Sequence, residues 1–178
     1  MKAFTHIALC GVLPVLLLSA CQSAKDRVLC PHASILASTS QLTQFKPGMQ
    51  GDPSGELYDI RIIQVNESCS VDRDEGITDS QVQITFRATR PPSGEEGHFT
   101  APYFLAATFD GTSVTTKKIL ATAFDFQPGQ TSLTFTETVP SMTIKFDNGK
   151  KAYQYGLLVG LQLTGEQLNY SNGGHYAP

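Results

Sequence analysis

Apolar and polar side chains alternate along most of the chain after residue 30. In the segment 81–88, Val82, Ile84 and Phe86 are each flanked by polar residues, which is the period of two typical of a β-strand with one buried face. The same kind of pattern predicts further strands over 34–37, 57–68, 114–126 and 133–139. The segment 102–109 is nearly all apolar, which predicts a central strand covered on both faces.

The clearest turn signal lies near the C-terminal end. The alternating segment 142–146 leads into Asn148-Gly149, and Asn-Gly is the strongest short signal for a two-stranded hairpin. We therefore expect 142–146 to pair with a returning strand over 152–163.

The returning strand and the segment after it carry two further signals. Gly156 and Gly160 share one face of the strand, which indicates either a close approach of another backbone or a bend. Thr164 and Gln167 fit a capping box, which predicts a short helical turn through Leu168.

These segments amount to about seven strands at regular spacing, separated by turn residues and without helical heptads. The pattern predicts an all-β fold: an antiparallel β-sandwich of immunoglobulin-like type, with a small β-barrel as the alternative. The short connections favour antiparallel pairing because they leave no room for crossover helices. We expect the sandwich to occupy residues 30–170 and to be followed by a loose tail over 171–178.

The N-terminal segment has the organisation of an export signal. Lys2 precedes an apolar run over 7–18 that is too short to span a bilayer as a stable helix. The next residues complete Leu18-Ser19-Ala20-Cys21, which resembles the lipobox of bacterial lipoproteins. An ordinary secretory cleavage site would need a small residue where Leu18 stands. The resemblance implies that residues 1–20 are removed and that Cys21 is acylated.

The same resemblance implies a location. Gln22 stands where an aspartate commonly retains lipoproteins at the inner membrane, so the periplasmic face of the outer membrane is expected. The tether over 21–29 is short, since its nine peptide steps to Cys30 reach at most about 30 Å. Three features beyond the lipobox resemble small uncharacterised lipoproteins of proteobacteria: Cys30-Pro31, the late strand Tyr-Gly-Leu-Leu-Val-Gly-Leu-Gln-Leu-Thr over 155–164, and the ending Glu166-Gln167-Leu168-Asn169. This likeness implies no particular activity.

Length and charge narrow the remaining possibilities. Removing 20 residues from 178 leaves 158, which suits one domain with a substantial core. Without Lys2, 12 lysines and arginines face 16 acidic residues, for a net charge of −4. A mildly acidic domain is a poor candidate for binding nucleic acid.

The four cysteines have different expected fates. Cys10 leaves with the signal, and Cys21 is the expected lipidation site. Cys30 and Cys69 remain as an even pair in an oxidising compartment, which favours a structural disulfide. A metal site and a reactive thiol are the alternatives, but His32 is the one other ligand at a suitable spacing.

Candidate catalytic and metal-binding residues are sparse. His32, His98 and His175 are widely spaced and fall in predicted loops or in the tail. Neighbouring loop residues such as Glu95 and Glu96 beside His98 do not define an acid–base geometry by themselves.

The acidic segment Asp72, Asp74, Glu75 resembles the start of a calcium loop. Gly76, however, stands where a third oxygen ligand is needed, and no glutamate closes the site. The alternative is a solvated acidic turn. We therefore expect neither a metal nor another cofactor.

Two classes of function stay open. The first is a non-catalytic envelope module, held by lipid, that binds a protein partner or supports an assembly. The second is a sandwich that binds a small ligand, a sugar or a lipid, with Tyr153 and Tyr155 as candidate lining residues. A hydrolase is the third possibility, because catalytic sites occur on any fold.

Overall fold

The computed structural model describes residues 30–146 and 149–173. Within these ranges the chain forms eight β-strands and one α-helix, joined by turns and three short 3-10 helices. The elements are β1 (His32–Ile35), β2 (Gln41–Phe45), β3 (Glu56–Asp72), β4 (Ile77–Thr89), β5 (Gly97–Phe109), β6 (Ser113–Phe126), β7 (Ser132–Lys145), β8 (Tyr155–Leu161) and α1 (Gly165–Ser171).

The strands form two four-stranded sheets that pack face to face. The order is β1-β8-β5-β6 in the first sheet and β2-β3-β4-β7 in the second. The predicted all-β sandwich is therefore confirmed, and the described residues do not close into a small barrel. A constant-type immunoglobulin domain divides its seven strands into ABED and CFG, so the likeness to that fold lies in the sandwich architecture and not in the strand order.

One pair of strands is parallel, unlike the rest. β1 runs alongside β8 in the same direction, with His32 opposite Gly156 and Ile35 opposite Val159. The other pairs in both sheets are antiparallel, as expected from the short connections. β1 and β8 come from opposite ends of the domain, so no short connection constrains their relative direction.

The core consists of the inward positions of both sheets. On β4, residues Val82, Ile84 and Phe86 are fully buried, as their alternation predicts. The Phe86 ring meets that of Tyr103 on β5 edge to face, with centroids 5.6 Å apart. Residues 103–108 of β5, including Leu105, are buried on both faces, which confirms the prediction of a central strand.

The predicted C-terminal hairpin is wrong. Segment 142–146 is the end of the long strand β7 and its following residue, and β7 belongs to the second sheet, whereas β8 lies between β1 and β5 in the first. The chain therefore crosses from one sheet to the other between these strands. The physical reason is that β8 buries residues on both faces and fits the centre of a sheet. Asn148 itself lies outside the described residues.

The strand β8 approaches a neighbouring segment closely at Gly160. A Cβ atom placed there would lie 2.1 Å from Oγ1 of Thr39 and 2.6 Å from Cζ of Phe104. The atoms nearest to Gly160 are therefore side-chain atoms, and not those of another backbone as one of the two expectations for these glycines had it. The 3-10 helix Ala37–Thr39 is thus packed directly over β8.

The helix α1 closes one flank of the sandwich. Its predicted capping box is confirmed: Thr164 Oγ1 accepts a hydrogen bond from the Gln167 amide at 3.2 Å, and Gln167 Oε1 accepts one from the Thr164 amide at 2.9 Å. The helix is longer than the predicted turn and ends at Ser171. In the part of the chain described here, no helix has the length and apolar character needed to cross a membrane.

Candidate functional site

The structure brings Cys30 and Cys69 together as a disulfide. Their Cα atoms are 5.9 Å apart, and the bond joins the segment before β1 to the distal half of β3. This confirms the predicted pairing and excludes both thiols as metal ligands or nucleophiles. The predicted lipidation site, Cys21, and the signal and tether around it lie outside the described residues.

The residues considered as an acid–base cluster have separate partners. Glu95 forms an ion pair with Lys46 at 2.7 Å, and Glu96 accepts a hydrogen bond from the backbone amide of Gly129 at 3.0 Å. His98 Nδ1 lies 2.9 Å from Asp125 Oδ1 on the neighbouring strand. The three side chains are therefore directed to three different elements and do not share one site.

The acidic segment after β3 forms a compact turn. One carboxylate oxygen of Asp72 accepts hydrogen bonds from the amides of Asp74 and Glu75, both at 3.0 Å. Gly76 follows with a φ of +65°, which returns the chain into β4. No group of three histidine, cysteine or acidic residues suited to a metal occurs in residues 30–146 and 149–173.

The remaining predicted residues are also apart. His32 is exposed and lies 3.6 Å from Glu67, while His175 is outside the described residues. Tyr155 is buried against Phe109, with ring centroids 5.2 Å apart. Tyr153 is 54% exposed and belongs to a 3-10 helix before β8, so the strand predicted over 152–163 begins only at Tyr155.

Two open clefts lie at the disulfide end of the sandwich. One, of about 940 Å³, is lined by the disulfide and the acidic turn. The other, of about 570 Å³, lies between that turn and the segment leading to β8, where Lys145, Lys151 and Tyr153 line it. Both combine acidic and basic side chains and are open to solvent.

Two buried tyrosine hydroxyls connect the sheets. The Tyr58 hydroxyl donates to the Thr100 carbonyl at 2.7 Å, and burial raises the pKa of Tyr58 to about 12. The Tyr103 hydroxyl donates to Glu137 Oε1 at 2.7 Å, and burial, followed by this hydrogen bond, raises the pKa of Tyr103 as well. Both hydroxyls keep their proton at neutral pH. Each can therefore donate its hydrogen bond to the other sheet, and the two bonds join the layers.

The two flanks of the sandwich differ in how their edge strands are protected. At the first flank, α1 covers β2. Gln167 Nε2 donates to Gln44 Oε1 at 3.1 Å, the Ser171 hydroxyl donates to a β2 carbonyl at 3.4 Å, and the Tyr170 ring meets Phe45. The other edge strand here, β1, has four residues. Covering and shortening are both common ways to protect a sheet edge.

At the second flank the edges are long, and no element that the structure describes covers them. β6 and β7 each have 14 residues, and no other strand among the described residues pairs with their outer sides. Pro140 lies in β7 where the pairing register with β4 is irregular. A proline has no backbone N–H group to donate to an added strand. A side-chain bond from Lys118 Nζ to the Ser141 carbonyl, 3.1 Å long, links the two strands.

β6 has one irregularity in its register with β5, between Val114 and Thr116, and none beyond it. From Thr116 to Phe126 it pairs with β5 in one continuous register and contains no proline. Its outward side chains alternate with the buried ones and run Lys117, Ile119, Ala121, Ala123, Asp125. We call the unpaired side of 116–126, together with these outward side chains, the β6 edge.

The β6 edge is apolar at its centre and charged at both ends. Ile119 is 64% exposed, and the side chain beside it, Lys117, places its ammonium 4.4 Å from the ring centroid of Phe104 and donates to Gln162 at 2.9 Å. At the other end, Asp125 faces His98. The alternation of apolar and polar residues predicted β6 as a strand, but it did not indicate that this strand lies at the edge of a sheet.

Comparison with protein-family models, with curated proteins and with solved structures found no match to this chain. What the chain does is therefore inferred from its own residues and their geometry.

Proposed function

We propose that this chain is a lipid-anchored, non-catalytic module of the bacterial envelope that binds a protein partner through the β6 edge. The expected anchor is Cys21, in the sequence Leu18-Ser19-Ala20-Cys21, and the expected place is the periplasmic face of the outer membrane. The observation that carries the proposal is the long edge of β6, with which no strand of residues 30–146 and 149–173 pairs.

An exposed strand edge is a binding surface for an extended segment. Its free amide and carbonyl groups pair with an added strand, and the side chains next to it select the partner. An exposed flat edge is otherwise a risk of aggregation, which proteins usually limit with prolines, bulges, charged side chains or a cover. β7 carries a proline and an irregular register, and β2 carries a cover. Over 116–126 β6 has no proline and no bulge, and its lysines, Lys117 and Lys118, stand at one end and leave 119–124 without a charge.

The tether supports a partner close to the membrane. Nine peptide steps separate Cys21 from Cys30, which corresponds to at most about 30 Å. The disulfide fixes Cys30 to β3, so the reach of the folded domain begins at that bond. An envelope protein within this distance is the expected class of partner.

A small-ligand module is the second candidate, and the cleft of about 570 Å³ favours it. Its volume lies within the usual range of ligand sites, and Tyr153 supplies an exposed ring beside lysine side chains. The cleft is open and charged, which suits a polar ligand such as a sugar better than a lipid tail.

In-cell photocrosslinking tests the proposed binding edge. A photoreactive amino acid replaces Ile119 in the full chain, and the matched control carries it at Ile63, an exposed isoleucine of the second sheet. We expect Ile119 to capture one reproducible envelope protein that Ile63 does not. Equal capture at both positions, or none at Ile119, would contradict the proposal.

The anchor has its own test. Mass spectrometry of the membrane fraction should identify an acylated N-terminal peptide beginning at Cys21, and a Cys21→Ser protein should leave that fraction. If the Cys21→Ser protein still partitions wholly with membranes, the anchor has been assigned to the wrong residue.

A further inference from the structure

When two copies of β6 are placed antiparallel to each other, the outward side chains of one copy complement those of the other. A basic residue, Lys117, stands at one end of the edge and an acidic one, Asp125, at the other, with Ala121 midway between them. If two copies of β6 lie antiparallel and are centred on Ala121, Lys117 of each copy faces Asp125 of the other. In the same register Ile119 faces Ala123, so apolar residues meet at the centre.

We infer that the occupant of the β6 edge is a second copy of this chain, paired antiparallel through β6 about Ala121. The inference rests on the proposed function, because it assigns a partner to the same edge. The pairing would be isologous, with one surface used by both copies. It would join two four-stranded sheets into one continuous sheet of eight strands.

The two-fold symmetry limits the registers that can compete with this one. Opposed residues of an antiparallel pair lie on the same face, so a symmetric pairing must be centred on a residue. Centring on Lys117 or Lys118 sets a lysine against its own copy. Centring on Ile119 or on the next residue sets Lys117 opposite an alanine. Among the registers centred on residues 117–122, the one about Ala121 pairs both charges.

Opposite charges directly across a strand pair favour it, and like charges disfavour it. Both charged side chains already lie on the outer face. In the single chain, Lys117 contacts Phe104 of β5 and Gln162 just after β8, and Asp125 contacts His98 of β5. Pairing with a second copy therefore requires both side chains to turn from these partners towards the neighbouring β6.

Charge reversal tests the register. In the full chain, extracted in a mild detergent, Lys117→Asp sets two acidic pairs at the interface, and Asp125→Lys sets two basic pairs. We expect each single variant to weaken dimerisation at least about tenfold, measured by analytical ultracentrifugation, and the double variant to restore it to within about threefold. A double variant as weak as the singles, with unchanged thermal stability, would overturn the register.

Cysteine cross-linking tests the same pairing in intact cells. Ala121→Cys places two thiols beside the two-fold axis and should give a disulfide-linked species of twice the chain mass. Ala123→Cys is the matched control, since its two copies would lie about 13 Å apart, four residues along the strands. It should cross-link when combined with Ile119→Cys and not alone. Equal cross-linking by the two single variants would overturn the inference, as would none from Ala121→Cys in a protein that melts normally.

The outcomes separate this inference from the proposed function. Capture of a different envelope protein by the photoreactive residue at Ile119, with no dimer in either experiment, overturns the second copy and leaves a protein-binding edge. Capture of nothing at Ile119, with no dimer, overturns both.

Discussion

The hydroxyl of Tyr103 on β5 donates a 2.7 Å hydrogen bond to Oε1 of Glu137 on β7, and this bond joins the two sheets from within the sandwich. Tyr103 has no solvent exposure, so its hydroxyl has no water to replace this partner. The bond lies near the open flank, where no strand covers the outer side of β7 among the described residues.

Replacing Tyr103 with phenylalanine should destabilise the domain. The variant loses a hydrogen bond to a charged group, which costs about 1.5–3 kcal/mol in the free energy of unfolding. The matched control is Tyr153→Phe, whose exposed ring should change stability by less than about 0.5 kcal/mol. Urea denaturation measures both. In a Glu137→Gln background the cost of Tyr103→Phe should be smaller, and an undiminished cost would show that the pair is not coupled.

Stability should fall at alkaline pH because of Tyr58. Burial raises its pKa to about 12 from the ordinary 10.0, so the unfolded chain releases this proton first. The contribution is present in full below about pH 10 and is lost as the pH rises towards about 12. Tyr103 acts in the same direction. A Tyr58→Phe variant should therefore show a shallower loss of stability over this range, and an identical slope would contradict the prediction.

Breaking the disulfide should lower stability substantially. A cross-link between residues 39 positions apart stabilises by about 4 kcal/mol in the chain-entropy treatment. For a domain of this size we expect Cys30→Ala/Cys69→Ala to lower Tm by roughly 10 °C. Calorimetry of the variant beside the reduced and oxidised parent protein measures this, and the reduced parent should match the variant. A reduced protein that melts with the oxidised one would contradict a structural role.

Replacing Gly160 with alanine should destabilise the domain. An added methyl group would overlap Oγ1 of Thr39 and Cζ of Phe104, and overpacking of this kind costs about 1–3 kcal/mol. Gly165→Ala is the control, because a Cβ there has no neighbour within 4 Å. Thermal melting should separate the two variants clearly. Equal stability would mean that the 3-10 helix over β8 moves aside at little cost.

The sequence predicted which side chains of a strand are buried better than it predicted which strands pair with each other. Alternation placed Val82 and Phe86 in the core, and a nearly continuous apolar run identified 102–109 as a covered strand. Both signals depend only on residues within one strand. Neither placed β8 between β1 and β5, since pairing depends on distant segments. The Asn148-Gly149 signal pointed to a local hairpin, and the two-sided burial of β8 was the stronger constraint.

The candidate site shows the same division. Two cysteines in a chain that the sequence leads us to expect is exported were enough to predict the bond between Cys30 and Cys69. The residues that contained recognisable chemistry, such as His98 and Glu95, turned out to have separate structural partners. The β6 edge was not predicted. A strand lies at an edge when no further strand pairs with one of its sides, and this depends on the rest of the chain and not on the strand's own residues.

The bond between Cys30 and Cys69 also sets the path of mechanical load. Tension on any segment before Cys30 reaches the disulfide before it reaches β1, and the bond carries it directly into β3. β1 is held to β8 by a short ladder of four residues, whereas β3 is paired with β4 from Asp59 to Asp72. We therefore expect a pull on the oxidised protein to load β3, and a pull on the reduced protein to separate β1 from β8 first. The redox state of one bond decides which sheet resists the force.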